Sequence, residues 1–434
     1  MRHKKTKKQL KNYIMNNRKL LTVYAILNII VVVVLGYLWN VTGKLMGYAL
    51  TSVEAWFVFV IICLLIFGLQ RLAHRKNGEF TLSECFMTMG GAFIPYFAIF
   101  IIFMGSSTGL TDKCIINTCV QKIVHIKSYY TERTEEHCTG SGKDEVCHTE
   151  TYCDVYHGPS WSICTKTGHT ISISSSQYKA IKERFGTSER QTASSQIGQC
   201  SGDGRQFEIA WSGTAATRIP CSYETSYINY VKATESIYKT ESQQSFKVCP
   251  YPKIQDTQFG SIGITRVMGD NLFNLKWAVT VDSLLDQELT WLGDKRQCNI
   301  FVYLTKNPQS FYGSLKEKWI NGKKNDIVII IGGKIGNPDW VRVMNWSETS
   351  NFEINLRDNI LNNSSLIDPF KFVKVVVSTI DSPTCGFERK PMEKFRYLLS
   401  EIHLQWWAWV LVFALLAIIL TPLVMYMFTN ETTE

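Results

Sequence analysis

Residues 316–333 read KEKWINGKKNDIVIIIGG, with glycines, lysines and an aspartate close together. Those residue types build phosphate-cradling loops, in which glycines follow a strand and open a helix whose N-terminal amides face the anion. Here the order is reversed. Gly322 follows a charged helical run and precedes an apolar strand, so it reads as a helix C-cap, where a left-handed backbone costs glycine little. Gly332, Gly333 and Gly336 do follow a strand, but no Lys-Ser/Thr pair succeeds them. Nucleotide chemistry is set aside on that ground. The chain also lacks a Gly-x-Ser-x-Gly elbow and an HExxH helix, so acyl-transfer and metalloprotease signatures are missing.

A second grouping joins Cys138, Cys147, Cys153 and Cys164 with His137, His148 and His157. The cysteine spacing, C-x8-C-x5-C-x10-C, lacks the close C-x2-C pairs of structural zinc. It favours disulfides. Of 13 cysteines, Cys63 and Cys85 lie in or beside apolar runs. The other eleven are Cys114, Cys119, Cys138, Cys147, Cys153, Cys164, Cys200, Cys221, Cys249, Cys298 and Cys385, enough for five disulfides in an oxidising compartment. At least three are expected between Cys114 and Cys249, a stretch with too few apolar runs to hold itself together.

The elements around these residues begin with the membrane. Four apolar runs, 20–38, 53–69, 86–104 and 406–427, approach the roughly 20 residues that a spanning helix needs. Eight Lys and Arg precede the first run, and Arg71, Arg75 and Lys76 follow the second, against Lys44 alone between runs one and two. The positive-inside rule then makes the 1–19 arm cytoplasmic, places residues of about 105–405 outside the cytoplasm and returns the 428–434 tail. The formal charge of +9 therefore points to anionic lipid rather than nucleic acid, because the basic arm adjoins a span. Trp406, Trp407 and Trp409 fit the outer interface. Charge within the runs is confined to Glu54 at an edge, which argues against a transport path. Gly90-Gly91 and Pro95 suggest close helix packing and a kink.

Outside the membrane, residues 105–250 read as a Cys-rich and Ser/Thr-rich region, with helices expected at 176–185 and over INYVKATESIYK. Residues 251–380 alternate more regularly. KWAVTV (276–281), NIFVYL (299–304), IVIII (327–331) and WVRVMNW (340–346) read as strands, and DSLLDQELTWLGD, SFYGSLKEKW and NFEINLRDNIL as helices. FKFVKVVVST (370–379) suits a last strand or the start of a longer element. The class is α/β, a sandwich domain joined through a 381–405 linker to the fourth span. Asn345, Asn362 and Asn363 head three-residue glycosylation patterns, which are weak signals.

Within this domain, WAVTVDSLLDQELTWLGDKRQCNIFVYLT and SLKEKWINGKKNDIVIIIG resemble the TPM-domain family of membrane-anchored or exported α/β domains. Trp319, Gly322, Asn325, Asp326 and Ile327 stand at the family's marks, and the likeness covers about a fifth of the chain. A later glycine-rich turn of the family has no counterpart, nor does the Cys-rich region. The resemblance implies assembly or modulation of membrane complexes, and in some members weak phosphatase activity or calcium binding. Calcium needs converging oxygens, for which Asp282, Asp326 and Asp339 are the candidates. Asp282 also suits the N-cap of the first helix. The reading that follows is a membrane-anchored binding or assembly protein without a resident cofactor, whose partners are the bilayer and another membrane protein or a second copy. A phosphatase-like hydrolase and a small transporter or channel subunit are the alternatives.

Overall fold

The computed structural model describes residues 22–34, 45, 49–50, 52–77, 82–107, 109–139, 146–185, 188–211, 218–234, 246–256, 262–270 and 275–431. The helices are α1 (Thr22–Val34), α2 (Val53–Asn77), α3 (Leu82–Ser107), α4 (Ser175–Phe185), α5 (Tyr230–Ala233), α6 (Leu275–Arg296), α7 (Phe311–Lys318), α8 (Phe352–Leu361), α9 (Pro369–Ile380) and α10 (Trp406–Glu431). The strands are β1 (Thr111–Ile126), β2 (Tyr129–Thr139), β3 (Val146–His157), β4 (Ser160–Thr165), β5 (Thr170–Ile173), β6 (Arg190–Ala193), β7 (Gln199–Gly202) and β8 (Gln206–Ala210). They continue with β9 (Pro220–Ile228), β10 (Ile254–Asp256), β11 (Ile262–Ile264), β12 (Val267–Gly269), β13 (Asn299–Thr305), β14 (Asp326–Lys334) and β15 (Asn337–Asn345). The chain divides into two compact units. One holds residues 1–113, 226–237 and 391–434, the other 114–225 and 238–390.

The first unit is helical. α3 and α10 carry stretches long and apolar enough to cross a bilayer, Thr88–Ser106 and Trp406–Leu423. The apolar helices Thr22–Val34 and Val53–Gly68 are shorter. Among the described residues two of the four expected spans therefore reach spanning length, and residues 35–38 of the first expected span lie outside the described set. Close packing centres on Gly91. A Cβ there would overlap Leu423 of α10 and crowd the Tyr24 hydroxyl of α1, which donates to the Gly91 carbonyl at 2.8 Å. Trp56, Phe59, Phe93, Phe97 and Tyr96 form a ring cluster between α2 and α3, and Trp409 meets Phe100 at 5.8 Å. Trp406 is largely exposed and Trp407 partly so. Glu54, at the start of α2, pairs with His403 at 3.1 Å.

Part of the expected 381–405 linker belongs to this unit as a 3-10 helix, Met392–Glu401. The helix expected over INYVKATESIYK is α5, four residues long, and the end of that run lies outside the described residues. α5 starts at Asn229, whose side-chain oxygen accepts from the Lys232 amide, while its amide nitrogen donates to the buried Asp112 carboxylate at 3.0 Å.

The second unit contains the α/β core. β12, β13 and β14 are parallel, and β15 pairs antiparallel with β14. Both faces of this sheet are apolar, as expected of strands covered on two sides. Ile300, Val302, Leu304, Ile327, Ile329, Ile331, Val341 and Val343 face α6, α8 and α9. Phe301, Tyr303, Val328, Ile330, Trp340 and Met344 face Phe311 and Leu315 of α7 and the Trp319 indole. That indole is 2 % exposed and donates from Nε1 to the Cys249 carbonyl at 2.9 Å. After α7 the backbone turns through left-handed conformations at Ile320, Asn321 and Gly322 (φ 54°, 56° and 74°), which fits a glycine at the third position.

One expected strand is a helix, and the run at 370–379, which suited a last strand or the start of a longer element, is a helix too. Residues 276–281 open α6, because Trp277, Val281, Leu285, Leu289 and Leu292 fall on one buried helical stripe that runs through the DSLLDQELTWLGD pattern. The alternation of KWAVTV over six residues was too short to outweigh that longer period. Residues 370–379 form α9, capped by Asp368, whose carboxylate accepts from the Phe370 amide, with Pro369 at the first turn.

The Cys-rich half is more ordered than its composition suggests. Strand order β5-β4-β1-β8-β6, with β9 also on β1, makes a six-stranded sheet. It has its own core of Val120, Ile123, Ile163, Tyr178, Ile181 and Ile209, with α4 laid on it. A separate sheet, β3-β2-β7, is exposed on both sides and carries two disulfides, Cys138–Cys147 and Cys153–Cys200. The expected third disulfide is not found among the described residues, since apolar burial supplies part of the cohesion that cross-links were expected to provide.

Ile329 lies at the centre of the helix-covered face. Ile329→Ala should destabilise the detergent-solubilised protein by about 2–5 kcal/mol, read as a lower unfolding midpoint, because the cavity there is enclosed by strands and helices.

Candidate functional site

A buried arginine organises the interior of the second unit. Arg266, 1 % exposed, precedes β12. Its Nε donates to Asp286 of α6 at 2.5 Å, and its terminal nitrogens donate to Asn299 of β13 and Asn117 of β1, each at 2.8 Å. Asn117 also accepts from Ser222 of β9 at 2.9 Å and donates to the Cys298 carbonyl at 3.1 Å. Asn299 continues the chain by donating to Asp326 at 3.0 Å. Asp326 accepts further from Tyr251 (2.8 Å) and from the Lys323 amide (2.7 Å).

Burial pushes the Asp326 carboxyl up to about 6, against hydrogen bonds from Lys323, Asn299 and Tyr251 that favour its charged form. Burial raises Asp286 as well, opposed by the Arg266 charge. It also raises Asp282, with Asp286 adding to the effect.

The three aspartates considered for calcium have separate tasks. Asp282 does not cap α6. It sits within the helix and accepts from the Arg266 and Val267 amides at 2.5 and 3.1 Å, tying α6 to the edge of the sheet. Asp326 belongs to the Arg266 network, and Asp339 of β15 lies beside Gly333 near the end of β14. Among the described residues the tight group of metal-ligand types is instead Glu136, Cys138 and Cys147, whose cysteines are joined to each other.

The network borders a pocket of about 380 Å³. β1 supplies Ile116 and Asn117, β9 supplies Tyr223 and Thr225, and the end of α6 supplies Gly293 and Asp294. Thr167, Gln297, Cys298, Asn325 and Arg389 complete the wall. Gly293 lets α6 approach β1, since a Cβ there would lie 2.5 Å from the Asn117 carbonyl oxygen. Tyr223 is held by the stacked His169 ring at 4.1 Å and by the Thr167 hydroxyl at 3.2 Å.

Two oxygens of this wall are buried without a hydrogen-bond donor among the described residues, Asp294 Oδ1 and Asn325 Oδ1. Asn325, 1 % exposed, donates from its amide nitrogen to the Ile115 carbonyl at 2.6 Å. The other Asp294 oxygen faces the Lys166 ammonium at 3.5 Å. Asp294 lies in the last turn of α6, where the helix dipole is negative. The arrangement suits an N–H-bearing group, charged or neutral.

The buried cysteine of the pocket wall is held in the thiol form. Burial pushes the Cys298 thiol up to about 12, so it stays protonated. Cys221 is likewise pushed up to about 12 by burial and by neighbouring Cys119.

Of the residues singled out from sequence, Asn325 and Cys298 line the pocket, and Asp326 and Asp282 support it through the Arg266 network. Trp319 serves the opposite face of the sheet, Gly322 lies beside Asp326 in the turn after α7, and the tryptophans at 406, 407 and 409 belong to the helical unit. Arg266, Asp294 and Arg389 were not anticipated. A lone arginine between short strand-like runs carries no periodic signal, and its burial depends on contacts with residues 20–149 positions away. Comparisons with protein-family models, curated proteins and solved structures found no match.

Removing the guanidinium leaves the Asp286 carboxyl buried without its ion pair. Arg266→Met should therefore destabilise the protein by about 3–5 kcal/mol, and Arg266→Met with Asp286→Leu should recover part of the loss, both measured by denaturant titration.

The raised Asp326 carboxyl means that the native state binds more protons than the unfolded chain between its ordinary value of 3.8 and about 6. The stability it contributes is complete below that window and lost as pH rises through it. Denaturation midpoints taken across the window should decline less steeply for Asp326→Asn than for the wild-type protein.

Proposed function

We propose that this chain is a membrane-anchored binding protein whose extracytoplasmic part organises or modulates a membrane complex. The pocket carries the reading. Its wall holds two buried acceptors in want of a donor, and an unmet buried acceptor costs about 1–3 kcal/mol. A partner's ammonium or N–H group entering the pocket meets that want. The C-terminal end of α6 adds its negative dipole at Asp294.

The apolar helices α3 and α10 support anchoring, and the two disulfides support an oxidising compartment for residues of about 105–405. The TPM-domain likeness stays part of this proposal in its later elements. Its expected first strand is the start of α6, and the strand ahead of that helix is β12. A hydrolase reading that used Cys298 as its nucleophile is weakened by burial, which holds that thiol protonated.

Purification of the full-length protein in mild detergent, followed by native mass analysis, tests the reading. The wild-type protein should retain a protein partner or a second copy. Asp294→Asn combined with Asn325→Leu should lose it while keeping the wild-type melting temperature or exceeding it. A monomer that turns over a phosphoester or a peptide would replace this reading with an enzyme.

A further inference from the structure

The β2–β3 ribbon holds a second constellation, independent of the pocket. Side chains two apart on a strand share a face, and directly opposed residues share it across the ladder. Register pairs Glu135 with Glu150 and His137 with His148, so two imidazoles and two carboxylates form a square on one face. Each histidine already approaches the glutamate of its own strand. His137 Nε2 is 3.7 Å from Glu135, His148 Nε2 is 3.5 Å from Glu150, and the two rings are 5.9 Å apart.

As a set of protein charges this square is poorly matched. Like groups directly opposed across two strands are destabilising, and here both rungs oppose like with like. Arg133 contacts Glu135 but divides its charge with Asp154 at 2.9 Å, and the Tyr152 hydroxyl contacts Glu150 without supplying charge. A dication at the centre would neutralise the carboxylate rung and use the imidazole nitrogens as ligands.

We propose that His137, His148, Glu135 and Glu150 bind a divalent transition metal of zinc type. Two imidazoles and two carboxylates are ligands that Zn²⁺ accepts at about 2.0–2.2 Å in a tetrahedron. In such a tetrahedron neighbouring ligand atoms lie roughly 3.3 Å apart, close to the His–Glu spacings of each strand. The four side chains are 40–57 % exposed and free to rotate, and rotation is what would bring the two strands' ligand atoms together. The backbone is held beforehand. Cys138–Cys147 occupies the rung next to the histidines, and Cys153–Cys200 ties the ribbon to β7. Little chain entropy is then lost on binding. Arg133 and Tyr152 become the outer partners that orient the carboxylates.

The test is calorimetric titration of Zn²⁺ into chelator-treated full-length protein in detergent, with Co²⁺ absorption as a report on coordination geometry. One Zn²⁺ should bind per chain, and Co²⁺ should give a tetrahedral spectrum without thiolate bands. His137→Gln and His148→Gln should each weaken binding at least about tenfold, as should the milder Glu150→Gln. Non-reducing mass mapping of both disulfides verifies that each variant keeps the ribbon. Undiminished Zn²⁺ binding by the variants, thiolate bands with Co²⁺, or no binding by the wild-type protein would each overturn the assignment.

Discussion

The second unit depends on one charge kept away from water. An isolated guanidinium in a protein interior is costly, and Arg266 is tolerable only because Asp286, Asn299 and Asn117 meet it together. Those partners come from α6, β13 and β1, so satisfying one side chain requires three elements from distant parts of the chain to be in register. Asn117 reaches the β13 end through Cys298, and Asn299 passes the network to Asp326 at the start of β14. The wall of the pocket is thereby tied to the α/β sheet. Its polar groups are held by bonds that stretch back to a fully enclosed cation.

Around this polar centre the sheet separates two apolar environments. Alternate residues of β13 and β14 enter one core or the other, aliphatic toward α6, α8 and α9, and largely aromatic around Trp319. The aromatic side is sealed by polar tips as well as by area: Tyr251 reaches Asp326, and the Trp319 indole reaches the Cys249 carbonyl. The segment around 249–251 is thus held by directional bonds where it has little regular structure. Burial gives the sheet its strength, and those bonds give the covering segment its position.

Much of this was readable where period and length agreed. The run at 327–331 is a strand covered on both faces, and the stripes at 311–319 and 352–360 are helical because apolar residues recur at helical spacing. The reading failed where a short window was allowed to speak alone. Trp277 and Val281 look alternating over six residues and helical over sixteen, and the longer period decides. The Cys-rich half misled for a different reason. Its core residues, among them Ile123, Ile163, Ile181 and Ile209, are single apolar positions scattered over four elements, so no local run reveals that they meet. The pocket was only marked in part, through Asn325 and Cys298, because Asp294 reads as a helix-terminal charge until β1 and β9 are folded against it. Long-range pairing is what one sequence leaves unwritten.

The contact at Gly91 has a consequence for the order in which the chain is made. In the helical unit, α3 receives Leu423 of α10 against a glycine that leaves no room for a side chain. About 300 residues lie between the end of α3 and the start of α10. At ribosomal speeds of about 5–20 residues per second, α3 waits on the order of 15–60 s for the helix that fills its notch. During that interval its glycine surface lacks the side chain that fills it in the folded unit. Synthesis of this chain therefore passes through a stage in which α3 exists without α10, and the contact at Gly91 closes only after the intervening residues have been made.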